Sequence, residues 1–319
     1  LIITESLNYS FRDPAALDFV AGLAESCEEA GQGLLLVAAG PNRSVEDGTA
    51  AVLSAGVDGF AVYAASDDDP YLPVVQQRGV PIVVVDQPKD VQGASRVCID
   101  DRAAMRGIAE YVVGLGHREI GLLTMRLGRH WPHGGAQSAV ADPERLTSPH
   151  FHVQRERILG VCDAMTDAGL NPDALTVVET YEHLPSSGGA AADVALQANP
   201  RITALMCTAD VLALSAMDHL RSRGIYVPGQ MTVTGFDGVP EALARGLNAA
   251  QPRNCPSADS TRTVSPASPP PLAMAESKTQ GWRRSRERSF PALSRMVFMG
   301  PIVGPGADQA AGRKPSMDR

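Results

Sequence analysis

The sequence has few cysteines and no long apolar run. Its five cysteines lie far apart, and no two of them have the C-x-x-C spacing of a redox or metal site. An odd number of scattered cysteines is typical of buried thiols in a reducing compartment. The apolar runs are much shorter than the ~20 residues of a membrane-spanning helix, so we expect no membrane partner.

A secretory signal and catalytic motifs are also missing. The first residues, LIITESLNYSFRDP, contain no basic stretch followed by a long apolar run and a cleavage site, which favours a cytoplasmic protein. There is no G-x-S-x-G, no H-E-x-x-H, no G-x-x-x-x-G-K, and no G-x-G-x-x-G after a predicted strand. We therefore expect a protein that is not an enzyme and that uses no cofactor.

Most of the histidines cluster in one part of the sequence. Five of the seven histidines, His117, His130, His133, His150 and His152, fall between positions 117 and 152. The short stretches HWPH and HFH are compatible with metal binding. No cysteine or paired carboxylate completes a known ligand spacing, so the sequence predicts no metal site.

Charge divides the chain into two unlike parts. Residues 1–248 hold 17 Lys and Arg against 31 Asp and Glu, whereas residues 249–319 hold 11 against 5. An acidic body does not attract the phosphates of nucleic acid by itself. Any contact with DNA would therefore need a separate basic segment.

Short apolar runs alternate with helical patterns up to about residue 247. The runs are LIIT (1–4), LLLVAA (34–39), GFAVYA (59–64), PIVVVD (81–86), RVCID (96–100), EIGLLT (119–124), LTVVET (175–180), ITALMCT (202–208) and MTVTGF (231–236). Nearly continuous apolar residues are typical of parallel strands that are buried on both faces. Intervening helical segments, such as the one that begins at Asp13 and Pro14, predict β-α-β units.

The number of predicted strands indicates two sheets rather than one. The break falls near Asp100, where one sheet would end and a new helix would begin. We therefore predict an α/β protein of two doubly wound parallel-sheet lobes. Such folds bind ligands beyond the carboxyl ends of their strands, which here is the cleft between the lobes.

The pattern stops at Asn248. Ten of the 24 prolines and the stretch WRRSRERS lie in the segment from Asn248 to Arg319. This composition buries too little apolar surface to offset the entropy of ordering the chain. A shifted reading frame near residue 248 explains the abrupt change; a natural disordered extension is the alternative.

Several phrases occur in an order that matches one known family. They are AGVDGFAVY (55–63), RGVPIVVVD (78–86), VCIDDRAAMRGIAEYVVGLGHREIGLLT (97–124), RERILG (155–160) and ITALMCTADVLALSAMDHLRSRGIYVPGQMTVTGFDGVPEA (202–242). Residues 1–247 resemble the effector-binding core of LacI/GalR-type transcriptional regulators, which shares the fold of periplasmic sugar-binding proteins. By this resemblance the first lobe spans residues 1–100 and the second spans 101–247, with 248–319 outside both.

The resemblance also implies partners. It predicts a small effector, a sugar or a nucleoside-like molecule, between the lobes of a homodimer. Such regulators carry a helix-turn-helix headpiece before this core, and no such pattern is found here. We therefore expect operator DNA as a partner only where a headpiece lies upstream. The alternatives are a transport-type sugar-binding protein, a sugar-active enzyme and a truncated non-functional remnant.

Two residues match positions that contact the ligand in this family. Asp237 belongs to the GFD turn, whose acid accepts hydrogen bonds from ligand hydroxyls; the alternative is an N-cap of the helix that follows. Arg157 belongs to the R-x-x-G phrase, and its guanidinium suits neighbouring hydroxyls. The alternative for Arg157 is a surface ion pair with Glu156 or Asp163.

Other candidates follow from predicted strand ends. Asp210, in CTAD, is a ligand contact or a first-turn charge, with Thr208 as a possible N-cap. The family often has Asn or Ser where this chain has Ala209. The remaining candidates are Tyr9 and Phe11 in the loop after the first strand, Asp86 at the end of PIVVVD, His183 after strand 175–180, and Trp131 in a long irregular loop at 126–150.

Overall fold

The protein is described by a computed structural model that covers residues 1–40, 43–147, 150–182 and 184–249. These residues form two α/β lobes, each built on one sheet. Within these ranges, none of the helices has the length and apolar character needed to cross a membrane. The tail beyond residue 249 and its two interpretations lie outside the described residues.

The first lobe is a five-stranded parallel sheet with four helices. In chain order its elements are β1 (Ile2–Ile3), α1 (Leu7–Ser10), α2 (Pro14–Glu29), β2 (Val37–Ala38), α3 (Val45–Ser54), β3 (Phe60–Tyr63), α4 (Leu72–Gln77), β4 (Ile82–Val85) and β5 (Ser95–Val97). The strand order is β2-β1-β3-β4-β5. All neighbouring strands in this sheet are parallel.

Neighbouring residues of the first sheet belong to different apolar cores. Ile2 and Val84 pack in a cluster with Val52 and other residues on one face, whereas Ile3 packs with Phe19 on the other. Successive side chains of a strand point to opposite faces. The apolar runs are continuous because helices cover both faces, as the predicted doubly wound arrangement requires.

The second lobe is a six-stranded sheet. Its elements are α5 (Asp101–Gly114), β6 (Ile120–Met125), β7 (Ser138–Val140), α6 (Pro143–Thr147), α7 (His152–Asp167), a 3-10 helix (Pro172–Ala174), β8 (Thr176–Thr180), α8 (Ser187–Ala198), β9 (Ala204–Cys207), α9 (Asp210–Ser222), β10 (Thr232–Gly235), α10 (Pro240–Ala244) and β11 (Asn248–Ala249). The strand order is β11-β10-β9-β6-β8-β7. The edge strand β7 is antiparallel to β8, and the other pairs are parallel.

Two helices on one face of the second sheet approach each other closely at a glycine. Gly160 in α7 has no side chain, and a Cβ added there would lie 2.4 Å from the carbonyl oxygen of Arg102 in α5. This separation is too short for a real Cβ, so only glycine allows the two backbones to meet here. The contact sets the position of α7, which carries Arg157 one turn earlier.

The predicted two-lobed fold is confirmed, and all nine predicted strands have a counterpart. Two strands, β7 and β11, were missed. The strand predicted from LLLVAA (34–39) is longer than the observed strand, because only Val37–Ala38 pair with β1 and Leu35 is exposed. The prediction of an irregular loop at 126–150 was wrong in part, because it contains β7 and α6. Three residues such as SAV are too short to show a period.

Candidate functional site

The carboxyl ends of strands from both lobes meet in one polar cleft. Tyr63 lies half-buried at the end of β3, and its pKa is raised well above its usual value. Burial is the main cause, and the carboxylates of Asp86, Asp13 and Asp237 add to it, while Arg157 opposes them. Side chains of both lobes therefore act on a single tyrosine, which locates the cleft.

Arg157 lies in α7 with only 8% of its surface exposed. Its Nε donates to Asp101 Oδ1 over 2.8 Å, and a terminal nitrogen donates to the backbone oxygen of Thr208. The guanidinium carbon lies 3.7 Å from the centre of the Phe236 ring. These three contacts fix the plane of the guanidinium group, as a binding residue requires.

The alternative ion pairs that the sequence suggested for Arg157 are wrong. Asp163 instead pairs with Arg102, at 2.7 Å. Burial lowers the pKa of Arg157, but Asp101 and Asp237 more than offset it, so the pKa stays above its ordinary value. Arg157 is therefore a permanent buried cation with acidic neighbours.

Asp237 lies in the turn between β10 and α10 with a left-handed backbone, at φ +86°. Its Oδ2 accepts a hydrogen bond from the backbone N–H of Asp210 over 3.0 Å. The alternative prediction that Asp237 caps its own following helix is wrong, because the N-cap of α10 is Val239. The carboxylate of Asp237 instead satisfies the first turn of α9.

The pKa of Asp237 is raised to about 7. Burial is the largest cause; Arg157 lowers the pKa, while Asp210 and Asp13 raise it. A half-buried carboxyl with this pKa exchanges its proton near neutral pH. It can therefore accept or donate a hydrogen bond at the cleft.

Asp210 begins α9 and is 1% exposed. Its Oδ2 accepts from the backbone N–H of Val239 over 2.8 Å. The N-cap of α9 is Ala209, so Thr208 does not have the predicted capping position. Burial is the main reason that the pKa of Asp210 is raised to about 6. The carboxylate lies behind the Asp237 turn and positions it, and a direct ligand contact stays a prediction.

Asp86 brings an acid of the first lobe to the cleft. It follows β4 with a left-handed backbone, at φ +66°, and its N–H donates to Val97 O over 2.7 Å. Its pKa is raised to about 6, mainly by burial and then by Asp101, against the opposing effect of Arg157 and Arg96. Asp86 therefore shares an electrostatic environment with Arg157 of the other lobe.

The sequence predicted that Tyr9 and Phe11 lie in a loop. This prediction is wrong, because they belong to the short helix α1 and its C-terminal end. Ser6 accepts a hydrogen bond from the N–H of Tyr9 and starts the short helix α1. Tyr9 is buried, and its hydroxyl donates to Asp13 Oδ2 over 2.7 Å. Asp13 also caps α2, since its Oδ1 accepts from the N–H of Ala15 over 3.2 Å. Phe11 ends α1 and is 49% exposed.

Trp131 lies in the segment between β6 and β7. Its ring is 5.5 Å from that of Tyr181, which follows β8, and its Nε1 donates to Ala136 O over 2.8 Å. The segment is anchored by Glu179, which is fully buried and accepts from Arg145 over 2.6 and 2.7 Å. His183 lies outside the described residues. For each of these candidates the role in ligand binding stays a prediction.

The histidines have separate environments. His117 bonds Thr203 and Thr232, and His133 bonds Glu179. His150 contacts Asp68, and His152 contacts Arg155. Among the residues that the structure describes, no group of three or more His, Cys, Asp or Glu is placed to hold a metal ion.

Two features of the cleft were not predicted from the sequence. One is Asp101, which follows Asp100 in the sequence and becomes the partner of Arg157 only in the folded chain. The other is a set of contacts between the lobes along one side of the cleft. Its members are Arg126–Glu5, Arg129–Asp69 at 3.3 Å, Val153 N–Gln87 Oε1 at 2.8 Å and Asp67 N–His150 O at 2.8 Å.

The chain is similar to known proteins over most of the described residues. The family model described as a periplasmic binding protein domain matches residues 3–251. An HTH-type transcriptional regulator of Mycolicibacterium smegmatis is 79% identical over 247 residues, which are 77% of this chain and 68% of that protein.

Solved structures of transcriptional regulators are also similar to this chain. A LacI-family transcriptional regulator from Corynebacterium glutamicum is 33% identical, with a TM-score of 0.72 over 78% of this chain and 72% of that one. A complex of the transcriptional regulator CelR with cellobiose shares the fold, with a TM-score of 0.61 at 23% identity over 76% of this chain and 67% of that one.

The two-lobed sheets and the polar cleft define a periplasmic-binding-protein-like effector domain. The chain belongs to the LacI family of transcriptional regulators. Its relatives are named as regulators, not as enzymes.

Proposed function

We propose that this domain binds a small molecule with several hydroxyl groups, a sugar or a nucleoside-like effector, between its lobes. Arg157 donates hydrogen bonds to the ligand, and Asp237 and Asp86 accept them from opposite lobes. The observation that carries the proposal is the fixed guanidinium of Arg157, which Asp101 orients at 2.8 Å beside Asp237. A preoriented donor loses little freedom when the ligand binds.

The charge of the cleft favours a polyhydroxylated ligand over an anion. One buried guanidinium interacts with several carboxyl groups: Asp13, Asp86, Asp101 and Asp237. This surplus of acids repels an anionic ligand, whereas a hydroxyl donates to a carboxylate and accepts from an arginine. The complex of CelR with cellobiose supports the same ligand class in a domain of the same fold.

The regulatory part of the proposal concerns the lobes. A ligand that contacts Arg157 and Asp86 together favours the closed arrangement, because it binds that arrangement more tightly than the open one. In a cytoplasmic homodimer that also carries a DNA-binding segment, this shift changes the affinity for operator DNA. The residues matched here span 68% of the Mycolicibacterium smegmatis regulator, and DNA binding belongs to the protein as a whole.

Isothermal titration with glucose, galactose, cellobiose and adenosine tests the ligand class. Arg157→Lys keeps a positive charge opposite Asp101 but loses the planar fork of donors. We expect it to weaken binding by roughly 10- to 100-fold, since hydrogen bonds to charged groups contribute about 1.5–3 kcal/mol. Arg102→Lys, an exposed arginine on α5, serves as the control and should bind as the wild type does. Unchanged affinity in Arg157→Lys, or no binding to the wild type, contradicts the proposal.

A further inference from the structure

A second polar feature of the cleft is a small cavity between the lobes. Its volume is about 10 Å³, and its lining comes from both lobes: Thr4, Ser66 and Asp69 from the first, and Arg126, Arg129 and Phe151 from the second. A space of this size holds about one water molecule, or one oxygen atom of a ligand.

In the part of the chain that the structure describes, one buried donor on this cavity, Arg126 Nε, lacks a partner. Arg126 is 3% exposed and Ser66 is 1% exposed. Arg126 Nε is buried and has no hydrogen-bond partner among the described residues, whereas the Ser66 hydroxyl is buried beside the carboxylate of Asp68 and bonds it. An unsatisfied buried donor destabilises the folded state, so Arg126 Nε on this cavity is a donor available to a bound group.

The remaining nitrogens of Arg126 fix the direction of its Nε. One donates across the lobe interface to Glu5, and the other donates to the backbone oxygen of Tyr181 over 3.2 Å. The guanidinium carbon also lies 5.5 Å from the centre of the Phe151 ring. The side chain is therefore held rigidly, with Nε as its unused donor.

The cavity suits a neutral group. The carboxylate of Glu5 offsets the charge of Arg126, and Asp69 offsets that of Arg129 at 3.3 Å. Asp69 Oδ1 already accepts from the N–H groups of Tyr71 and Leu72. With both cations paired, a further anion gains little, whereas a hydroxyl accepts from Arg126 Nε and bonds Ser66 Oγ.

The cavity belongs to the same cleft as Arg157. Phe151 immediately precedes α7, and Arg157 lies six residues further on, about 9 Å along the helix axis. On the first lobe, Thr4 Oγ1 donates to the backbone oxygen of Tyr63 over 3.2 Å, and Tyr63 adjoins the acids around Arg157. A ligand with hydroxyls at both ends can therefore reach both places.

We propose that Arg126 is a specificity-determining residue of the effector site: its Nε donates to one hydroxyl oxygen of the bound sugar, and the same hydroxyl bonds Ser66. This rests on the proposed function. The cavity selects effectors that carry a hydroxyl at a set distance from the group held by Arg157 and Asp237. Because Arg126 also joins Glu5, the same contact strengthens the closed arrangement of the lobes.

The test is a titration of wild type, Arg126→Lys and Ser66→Ala. The probes are the tightest-binding sugar among glucose, galactose and cellobiose, and its set of monodeoxy analogues. Lysine keeps the charge opposite Glu5 but has no Nε donor in this position. We expect Arg126→Lys to weaken the parent sugar about tenfold or more, and one deoxy analogue to bind wild type and both variants equally.

The outcomes separate this proposal from the previous one. Failure of every sugar and of adenosine to bind the wild type overturns both proposals, and binding of adenosine without any sugar overturns this inference alone. Binding that depends on Arg157 but is unchanged in Arg126→Lys and Ser66→Ala overturns this inference alone. Equal weakening of the parent sugar and every deoxy analogue also overturns it, because Arg126 then acts only through its ion pair. Ser66→Ala, which leaves that ion pair intact, keeps the test decisive if Arg126→Lys unfolds.

Discussion

Asp210 and Asp237 each accept a hydrogen bond from the start of the helix next to the other residue: Asp237 bonds the start of α9, and Asp210 bonds the start of α10. The backbone N–H of Asp210 donates to Asp237 Oδ2 over 3.0 Å, and Asp210 Oδ2 accepts from the N–H of Val239 over 2.8 Å. The two turns follow the adjacent parallel strands β9 and β10. This reciprocal arrangement holds Asp237 at the cleft, and Asp210 supports it from behind.

Asp210→Ala removes the acceptor for Val239 and loosens the Asp237 turn. We expect the free energy of unfolding to fall by about 1–2 kcal/mol, as for the loss of a helix cap. Chemical denaturation measures the change. Asp218→Ala, on the same helix, is the control. Asp218 is exposed and forms a surface ion pair with Arg245, so its loss should change stability little. Equal losses in the two variants would contradict the capping role.

The raised pKa of Asp237 makes its effect on stability depend on pH. Its carboxyl has a pKa of about 7 in the folded chain, above its ordinary value of 3.8, so the folded state favours the protonated form. The contribution of Asp237 therefore falls as pH rises from about 4 to 7. Asp237→Asn has no such titration, and its stability relative to wild type should rise over this range.

Denaturation of both proteins between pH 4.5 and 8 checks this expectation. Asp163→Asn supplies a control whose stability relative to wild type should not change over this range, because Arg102 holds the pKa of Asp163 below its usual value of 3.8. The contribution of Asp163 is present at neutral pH and is lost as pH falls towards its folded pKa. Parallel pH profiles for wild type and Asp237→Asn would show that Asp237 has an ordinary pKa.

Glu179 stabilises the segment that carries Trp131. It is fully buried and accepts from Arg145 twice, from the N–H of Leu127 over 3.0 Å and from His133. Glu179→Ala leaves Arg145 without its carboxylate, and breaking a buried pair in this way costs about 3–5 kcal/mol. We expect a loss near the lower limit, because Arg145 is 17% exposed.

Limited proteolysis and denaturation together check this prediction. Cleavage between residues 126 and 142 should become faster in Glu179→Ala than in the wild type, because the segment loses its anchor. Glu144→Ala, which changes an acid of the neighbouring helix α6, is the control. A stability loss without faster cleavage of the segment would mean that Glu179 acts elsewhere in the lobe.

Gly160 is required by the contact of α5 with α7. Gly160→Ala places a Cβ 2.4 Å from Arg102 O, so the helices must separate and α7 must shift beneath Arg157. We expect a loss of about 1–3 kcal/mol, as for overpacking in a core. Gly107→Ala, in α5 with nothing within 4 Å of the added atom, should gain about 0.5–1 kcal/mol by helix propensity. Thermal unfolding of both variants decides whether packing or propensity controls this interface.

Short-range features explain why parts of the fold were predictable. The continuous apolar runs identified the strands because both faces of each sheet are covered. Asp13 followed by Pro14 identified the start of α2, because a cap bonds the N–H groups of the next residues. Strand β7 was missed because three residues show no period, and β8 alone pairs with it.

The cleft was only partly predictable, because its contacts join residues that are far apart in the sequence. Arg157 and Asp237 were found through phrases that resemble a family, and Asp86 through its position at a strand end. The sequence predicted a loop at Tyr9, because helix α1, which Ser6 caps, has only four residues and shows no helical period.

The sequence by itself determined the order of strands and helices along the chain, because these depend on residues a few positions apart. The tertiary structure alone decided that Arg157 pairs with Asp101 rather than with Glu156 or Asp163. It also decided that Asp237 caps α9 and that Arg126 meets Glu5 across the lobes. These contacts join residues distant in sequence, and they form only when packing brings the strand ends together.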